Sequence, residues 1–267
     1  MSGPGLAAPG SPASPDDFSA RDGAALVIGA SGGLGAAVAA MLLDRGSRVA
    51  MTYRRPSAAV AGLAGEHPGR ARAYQLELTD AAACAEVVGA VAADFGGVHT
   101  AVYASGPHVP MTHLSRVSPE LFRSQIEQDS IAFLNAMVPL LGLLRASRGS
   151  VVAVTTAATS RFPVRDGLSS IPKAAVEAAV RGIAAEEGRF GVRANCVGPG
   201  MLTDGMAGRL ISSGELDEQA LDVARRNIPL RRFAGAADIA EAVCFLASDR
   251  AGFITGQKLD VDGGYGI

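Results

Sequence analysis

Residues 26–35, Leu-Val-Ile-Gly-Ala-Ser-Gly-Gly-Leu-Gly, decide the fold of this chain. A short apolar run ends at Ile28, glycines follow, and an alanine-rich segment of helical spacing begins. Glycines between a buried strand and a helix allow a tight turn and close approach of the backbone to a pyrophosphate, while the helix N-terminus offers unpaired N–H groups. Glycines also serve ordinary turns, so the position of these glycines is what favours a dinucleotide site.

Outward from this turn, short β-branched runs alternate with longer segments of helical spacing. The predicted strands are Ala25–Ile28, Arg48–Thr52, Ala71–Leu76, Thr100–Ala104, Ser150–Thr155, Val192–Val197 and Lys258–Val261. The predicted helices are Gly33–Arg45, Ala81–Phe95, Pro119–Arg145, Pro172–Phe190 and Ala236–Ala247. Uniformly apolar strands separated by helices indicate a parallel sheet covered on both faces. We therefore predict one α/β domain over residues 24–267, a Rossmann-like doubly wound parallel sheet with helices on both faces.

Composition narrows the class of protein. The chain has 267 residues, 48% of them hydrophobic, and a formal net charge of −2, which argues against a nucleic-acid surface. Three separated cysteines without a C-x-x-C pair predict no disulfide framework, no metal site and a cytoplasmic location. The longest apolar stretch, residues 131–144, is too short to cross a membrane. Residues 1–23, rich in Pro, Gly, Ser and Ala, are interpreted as a flexible leader.

Four motifs carry a family resemblance. They are Gly29-x-x-x-Gly33-x-Gly35, the segment Tyr103–Gly106, the turn Asn195–Gly200, and the C-terminal pair Ile254–Gln257 and Val261–Gly264. In order and spacing they resemble the short-chain dehydrogenase/reductase family across nearly the whole chain. Of that family's Asn-Asn-Ala-Gly segment, only the final Gly106 and the small residue before it are retained.

The resemblance implies a nicotinamide dinucleotide, and the end of the second strand indicates which one. Where users of NAD in this family carry an acidic residue, the sequence has Tyr53, followed by Arg54 and Arg55. No carboxylate repels a 2′-phosphate there, and guanidinium groups recognise phosphate through paired donors, so NADP(H) is predicted in preference to NAD(H). The alternative is that Arg54 and Arg55 only form a solvated turn. The predicted cofactor-binding residues are Gly29, Ser31, Gly33, Leu34, Gly35, Tyr53, Arg54, Arg55, Ala104, Gly106, Lys173, Pro199 and Gly200.

The catalytic positions depart from the family pattern. The family uses a Tyr-x-x-x-Lys pair with a serine and an asparagine; the matching positions here are Ser169, Lys173, Thr156 and Asp129. The family lysine binds the nicotinamide ribose and lowers the pKa of the tyrosine, which moves the proton. An aliphatic hydroxyl is a much poorer acid than a phenol. We therefore interpret Ser169 or Ser170 as a helix cap, with Pro172 in the first turn.

Several groups are candidates to replace the phenol. Asp129 is either a buried acid or, more commonly for such a pair, a salt-bridge partner of Lys173. Tyr103 is interpreted as strand packing on the adenosine side of the cofactor. His108 and His113 are candidate proton donors near neutral pH, and a solvated loop histidine is the alternative interpretation of each. Arg161, Arg165 and Asp166 lie in the loop before Ser169 and are interpreted either as ligands of a charged substrate or as solvated loop residues.

Two hypotheses remain open at this point. The first is an NADPH-dependent oxidoreductase of carbonyl-reductase type with a rebuilt proton path. The second is a non-redox dehydratase, cyclase or isomerase, or a non-catalytic cofactor-binding subunit, on the same fold. Residues 200–232 are predicted to cover a small-molecule substrate as a lid. The apolar residues of this lid favour a partly apolar substrate, and packing within the lid explains them equally well: Met201, Leu202, Met206, Leu210 and Ile211. The resemblance also implies a homodimer or homotetramer that uses the helices containing residues 131–144 and 172–190.

Overall fold

The computed structural model describes residues 16–203 and 218–267 of the chain. Seven strands are β1 (Ala24–Ile28), β2 (Val49–Tyr53), β3 (Ala71–Gln75), β4 (Val98–Tyr103), β5 (Ser150–Val154), β6 (Arg193–Pro199) and β7 (Lys258–Val261). The α-helices of the described residues are α1 (Gly33–Asp44), α2 (Ala58–Glu66), α3 (Ala81–Phe95), α4 (Pro119–Ile126), α5 (Ala132–Ser147), α6 (Gly167–Glu187), α7 (Glu218–Arg226) and α8 (Ala236–Ala247).

The seven strands form one parallel sheet in the order β3-β2-β1-β4-β5-β6-β7. Each face of the sheet has its own apolar core. Phe95 of α3, Phe133 of α5 and Val180 of α6 pack on one face, while Val38 of α1 and Val243 of α8 pack on the other. The predicted doubly wound α/β architecture is therefore confirmed. The strand order reverses between β1 and β4, and in such sheets ligands bind in the crevice beyond the carboxyl ends of the strands at that point.

Two helix predictions need correction. The sequence does not predict helix α2. Its sequence is rich in alanine and glycine and buries only Val60, so it has no clear apolar face to indicate a helix. Helix α6 begins at Gly167, five residues before the predicted start at Pro172. The residue that precedes its first turn is Asp166, so neither Ser169 nor Ser170 is the helix cap and Pro172 lies inside the helix.

The helical stretch Pro119–Ser147 contains α4, a π-helical turn at Glu127–Ile131, and α5. By length and composition alone this stretch is apolar enough to cross a membrane. Its side chains Phe133, Met137, Leu140 and Leu144 are fully buried against the sheet. Such burial is typical of a core helix in a globular domain, and π turns of this kind occur often at functional sites.

The start of the folded domain lies earlier than residue 24. Phe18 is fully buried and stacks on His99, with 5.9 Å between ring centroids. The Asp17 carboxylate pairs with the fully buried Arg45 at 3.3 Å and with Arg250 at 3.1 Å. Asp17 and Phe18, which fall in the predicted flexible leader, therefore pack on the core, whereas residues 1–15 lie outside the described part of the chain.

A chain of buried polar side chains crosses the amino ends of three strands. His99 Nε2 lies 3.3 Å from Ser47 Oγ, and His99 Nδ1 lies 3.0 Å from Thr100 Oγ1. Thr100 Oγ1 in turn lies 3.3 Å from Ser150 Oγ. Burial, assisted by the charges of Arg21 and Arg48, lowers the pKa of His99 to about 4. The imidazole is therefore neutral in the folded protein at neutral pH.

This buried imidazole predicts a pH dependence of stability. Because the unfolded chain binds a proton at His99 with a pKa of about 6.5, while the folded chain does so only near 4, the unfolded state holds more protons between these values. The free energy of unfolding should fall as pH is lowered from about 6.5 to about 4, by up to about 3 kcal/mol. Urea unfolding at several pH values measures this change. In a His99→Gln variant the dependence should be flatter over the same range, and an equal slope in both proteins would contradict the prediction.

Candidate active site

The glycine turn lies at the predicted crevice and requires its glycines. Gly29 has a left-handed backbone with φ of +89°, and a Cβ there would lie 2.9 Å from the carbonyl oxygen of Ala104, just after β4. A Cβ on Gly35 would overlap with the carbonyl oxygen of Gly29. The absence of side chains at both positions lets α1 start directly against the ends of β1 and β4.

The N-terminus of α1 fits a phosphate group. The residue before its first turn, Gly32, supplies no side chain to cap the free N–H groups, and the first turn holds no acidic residue. A Cβ on Gly33 would meet no atom within 4 Å, so the space in front of this turn is open. Ser31 is exposed, and Leu34, in the first turn of α1, packs partly into the core. Free N–H groups at a helix N-terminus attract anions, so the residues present suit the pyrophosphate of a dinucleotide.

Tyr53, Arg54 and Arg55 follow at the carboxyl end of β2. Tyr53 is half-buried and packs partly into the core beside α1, while Arg54 and Arg55 are exposed. Neither guanidinium forms an ion pair with a residue that the structure describes. The backbone here is held by Gln75, which donates a hydrogen bond of 3.2 Å from Nε2 to the carbonyl of Arg54. Two free cationic side chains therefore flank the edge of the crevice.

Lys173 and Asp129 form a nearly buried ion pair beside β4. Lys173 Nζ donates to Asp129 Oδ1 and to the carbonyl oxygen of Ser105, both at 2.9 Å. The exposed fraction is 11% for the Lys173 side chain and 4% for that of Asp129. A Cβ on Gly106 would lie 3.5 Å from Lys173 Nζ. Of the two interpretations of Asp129, the structure shows the salt-bridge partner, and Ser105 is an additional partner that the sequence did not reveal.

Tyr103 is a packing residue. Its side chain is fully buried, its ring contacts Phe133 edge to face at 5.2 Å, and its hydroxyl donates to the carbonyl oxygen of Asp129 at 3.0 Å. Burial, followed by the charge of Asp129, raises the pKa of this phenol well above its usual value. The interpretation as strand packing is confirmed, and the hydroxyl is directed towards the Asp129 backbone.

Thr156 and Ser169 differ in how they are held. Thr156 Oγ1 accepts a hydrogen bond of 3.1 Å from the Ala158 N–H. Since a hydroxyl also carries its own proton, the half-buried Thr156 can still donate to an oxygen atom of a substrate. Ser169 is half-buried in the first turn of α6, and its hydroxyl forms no hydrogen bond with a described residue.

A second charged cluster, which sequence reasoning missed, holds the turn after β5. Lys258 Nζ on β7 donates to Thr159 Oγ1 and lies 3.4 Å from Glu177 Oε1 and 3.0 Å from Asp260 Oδ1. Thr159 Oγ1 donates to Glu177 Oε1 at 2.8 Å, and Glu177 lies one helical turn after Lys173 on α6. This Lys258 cluster connects β7, α6 and the segment that carries Thr156. The only signal in the sequence is the i, i+4 spacing of Lys173 and Glu177.

Gly198 is required by the same cluster. A Cβ at this position would overlap with Asp260 Oδ1 and lie 2.6 Å from Lys258 Cε and 3.2 Å from the backbone of Thr156. Pro199 is the last residue of β6, and Gly200 follows it. The Gly200 N–H donates a hydrogen bond of 3.0 Å to the Val261 carbonyl.

The predicted lid is described only in part. Leu202 pairs with Ala234 in an isolated β-bridge, and α7 lies within the segment. Met201 is exposed and Leu202 is half-buried. Met206, Leu210 and Ile211 lie outside the described residues.

The five loop candidates lie around the substrate side. His108 and His113 are exposed after β4, and Arg161 packs over the ring of Tyr265 at 4.7 Å. Arg165 has a left-handed backbone with φ of +74°, and its guanidinium donates to the carbonyl of Met111 at 2.7 Å and 3.2 Å. Asp166 is half-buried and accepts a hydrogen bond of 2.8 Å from Ser170 Oγ. Burial raises the pKa of this carboxyl above its usual value, although the Ser170 bond acts in the opposite direction.

Comparisons with known proteins address the family and the fold of this chain. The sequence profile of a family described as enoyl-(acyl carrier protein) reductase matches residues 29–266. The chain is 31% identical over 261 residues to the D-threitol dehydrogenase of Mycolicibacterium smegmatis, covering 94% of this chain and 95% of that protein.

Solved structures are also similar. A short-chain type dehydrogenase/reductase from Mycobacterium ulcerans superposes with a TM-score of 0.85 at 28% identity, covering 93% of this chain and 91% of that one. A short-chain oxidoreductase from Pseudomonas aeruginosa, described as containing an atypical catalytic center, superposes with a TM-score of 0.81 at 27% identity, covering 91% of this chain and 96% of that one.

Removal of Asp129 from the buried ion pair should cost more folding stability than removal of the acidic partner from an exposed ion pair. An Asp129→Ala variant leaves the Lys173 ammonium buried without a counter-charge, and we expect a loss of about 3–5 kcal/mol in the free energy of unfolding. The matched control is Asp222→Ala, which removes the partner of Arg225 in an ion pair exposed on both sides and should cost at most about 1 kcal/mol. Urea unfolding measures both. Similar small losses for the two variants would contradict the importance of the Lys173–Asp129 pair.

Proposed function

The chain belongs to the short-chain dehydrogenase/reductase family, and from this premise we propose that it is an NADPH-dependent oxidoreductase of carbonyl-reductase type with a rebuilt proton-transfer site. The observation that carries the proposal is Lys173, held by Asp129 and Ser105 beside the glycine turn, because this arrangement suits the ribose of a bound nicotinamide nucleotide. The substrate class is a ketone or aldehyde, or the corresponding alcohol in the reverse direction.

NADP(H) rather than NAD(H) is supported by the end of β2. A 2′-phosphate bound there meets the guanidinium groups of Arg54 and Arg55, and the first turn of α1 supplies N–H groups to the pyrophosphate. The other proposed cofactor contacts line the same crevice: Gly29, Ser31, Gly33, Leu34, Gly35, Tyr53, Ala104, Gly106, Pro199 and Gly200.

The residues of the site divide the remaining work. A bound nicotinamide supplies the hydride donor or acceptor. Lys173 orients the ribose, and its ammonium favours negative charge on a nearby substrate oxygen. Thr156 donates a hydrogen bond from its hydroxyl to that oxygen, since the Ala158 N–H occupies only a lone pair of Oγ1 and leaves the O–H available. The Ser169 hydroxyl, which forms no hydrogen bond with a described residue, serves as a weaker hydrogen-bond donor through water.

An enzyme of this kind can keep most of its rate enhancement with an altered proton path. A positioned general acid contributes about 10²–10⁴ in rate, whereas orientation of the reactants supplies about 7–11 kcal/mol of the barrier. The similarity to the Pseudomonas oxidoreductase described as having an atypical catalytic center supports the same conclusion. A product formed without change in nicotinamide absorbance would instead favour a non-redox dehydratase, cyclase or isomerase.

The protein is further proposed to form a homodimer or homotetramer and to lie in the cytoplasm. The outer face of α5 and its preceding turn exposes Ile131, Leu134 and Val138, an apolar stripe at helical spacing. Cys84, Cys196 and Cys244 are all free and buried, which supports a reducing compartment.

The cofactor preference is tested at the two arginines. In an Arg54→Ala/Arg55→Ala double variant, NADPH should bind about 10- to 100-fold more weakly, because charge-assisted hydrogen bonds to phosphate are worth about 1.5–3 kcal/mol, while the affinity for NADH should change little. Fluorescence titration with each nucleotide gives both dissociation constants. Arg72→Ala removes an exposed arginine from the neighbouring strand β3 and should leave both constants unchanged. Equal loss of affinity for NADPH and NADH in the double variant would overturn the assignment.

The apolar stripe on α5 predicts an effect on assembly. Val138 is 63% exposed, and a Val138→Glu variant places a charge in the proposed subunit contact. Its mass in light scattering should fall to that of the monomer, whereas Val223→Glu, at a similarly exposed valine on α7, should leave the mass unchanged. A wild-type protein that is already monomeric would contradict the proposed oligomer.

A further inference from the structure

The proposed oxidoreductase lacks an identified acid for its proton step. Tyr103 is fully buried with its hydroxyl bonded to the backbone of Asp129. The Asp129 carboxylate is committed to Lys173. His108 and His113 are exposed in the segment after β4, where water competes for their protons. None of these four groups therefore suits proton transfer inside a substrate pocket.

Resting on the proposed function, we propose that Asp166 is the proton-transferring residue of this enzyme, placed at the N-terminus of α6 on the same helix face as Ser169 and Lys173. Residues three, four and seven apart share one face of an α-helix. Asp166 is the residue immediately before α6, its carbonyl accepts the Ser169 and Ser170 N–H groups, and Ser169, Ser170 and Lys173 follow it on that face. Serine at position 169 leaves free the volume that a phenol fills in the family. A carboxyl one turn earlier on the same face is suited to reach into that volume.

The surroundings of Asp166 place it at the substrate side of the sheet. The Thr112 N–H donates to the Arg165 carbonyl at 3.1 Å, and a Cβ on Gly167 would lie 2.5 Å from the Leu114 side chain. The start of α6 is therefore packed against the segment after β4. The segments after β4 and β5 both lie beyond the carboxyl ends of their strands, where this fold binds its ligands.

The hydrogen bonding of Asp166 fixes one oxygen and leaves the other available. Ser170 Oγ lies 2.8 Å from Asp166 Oδ2, whereas Oδ1 accepts no hydrogen bond from a described residue. No described cation forms an ion pair with the Asp166 carboxylate. The adjacent cation, the Arg165 guanidinium, instead donates to the Met111 carbonyl.

The electrostatics agree with this assignment. Burial is the main cause that raises the pKa of Asp166, and the bond from Ser170 partly offsets it. The charged or titratable side chains on the neighbouring segments are His113, Arg116, Glu120, Arg123, Arg161, Arg165 and Lys173. None of them is among the causes of the shift. Burial without a counter-charge is the condition under which a carboxyl exchanges protons closer to neutral pH.

The proton and electron balance of the step is simple. In oxidation of an alcohol, the carbon-bound hydrogen leaves as hydride to an oxidised nicotinamide nucleotide, the hydroxyl proton passes to Asp166 Oδ1, and the C=O double bond forms. In reduction the carboxylic acid returns that proton to the oxygen as the carbon accepts hydride from the reduced nucleotide. Oxidation should therefore decline as pH falls through the pKa of Asp166, and reduction should decline as pH rises through it.

The activity test uses Asp166→Asn in the full-length protein with NADPH, NADP⁺ and a panel of ketones and secondary alcohols. We expect kcat to fall by about 10²–10⁴ and the pH-dependent limb to disappear, with the affinity for NADPH unchanged. Asp166→Glu should restore part of the activity and the limb. The control is Asp80→Asn, the same substitution at the N-terminus of α3, which should leave kcat and its pH profile unchanged.

A second readout does not depend on turnover. In the protein without nucleotide, NMR titration of a ¹³C-labelled Asp166 carboxyl reports its pKa directly, and Ser170→Ala should raise that pKa by removing the bond that lowers it. The pH limb of activity should move upward by the same amount. A carboxyl that titrates at its usual value in both proteins overturns the assignment.

The outcomes separate the two proposals. An active wild-type enzyme with unchanged kcat and pH profile in Asp166→Asn overturns the role of Asp166 and leaves the oxidoreductase intact. A wild-type protein that binds NADPH but never oxidises it across the panel overturns the proposed function, and the role of Asp166 with it.

Discussion

The close contact of the backbones at the glycine turn is the constraint on which the rest of this structure depends. Gly29 approaches the end of β4 and Gly35 approaches Gly29 at distances that leave no room for a Cβ. Helix α1 can therefore begin at the point where the strand order reverses, with its N–H groups facing the crevice. The glycine turn and Lys173 then lie along one edge of the sheet, because the segments after β1 and β4 meet there.

The chemistry of the site follows from how each charge is compensated. The Lys173 ammonium is balanced by Asp129, and the Lys258 ammonium by Glu177 and Asp260, so both cations are held in fixed positions at low exposure. Asp166 has no such partner among the described residues, and its proton affinity is set by burial instead. Fixed ion pairs thus hold the geometry of the site, and the proposed proton-transfer role falls to Asp166, whose charge is not compensated by a described cation.

Sequence reasoning reached the sheet, the glycine turn and the Lys173–Asp129 pair, because each has a local pattern or a family position. It misplaced the start of α6, since Pro172 was taken for a first-turn proline; the helix accommodates Pro172 in its interior, where its missing N–H leaves the Leu168 carbonyl without that partner. It also missed the packing of Phe18 and the Lys258 cluster. Those contacts join segments far apart in the chain, and no local periodicity encodes which distant side chains meet.

Gly198 has a consequence for how this branch of the family can diversify. Its missing side chain leaves the space that Lys258 and Asp260 occupy next to Thr156. A larger residue at position 198 requires shorter side chains at positions 258 and 260 on β7. In a relative without the Lys258 cluster, the steric constraint that requires glycine at position 198 is relaxed. Positions 198, 258 and 260 should accordingly covary, and the set as a whole distinguishes descendants of this site from relatives that stabilise the same turn in another way.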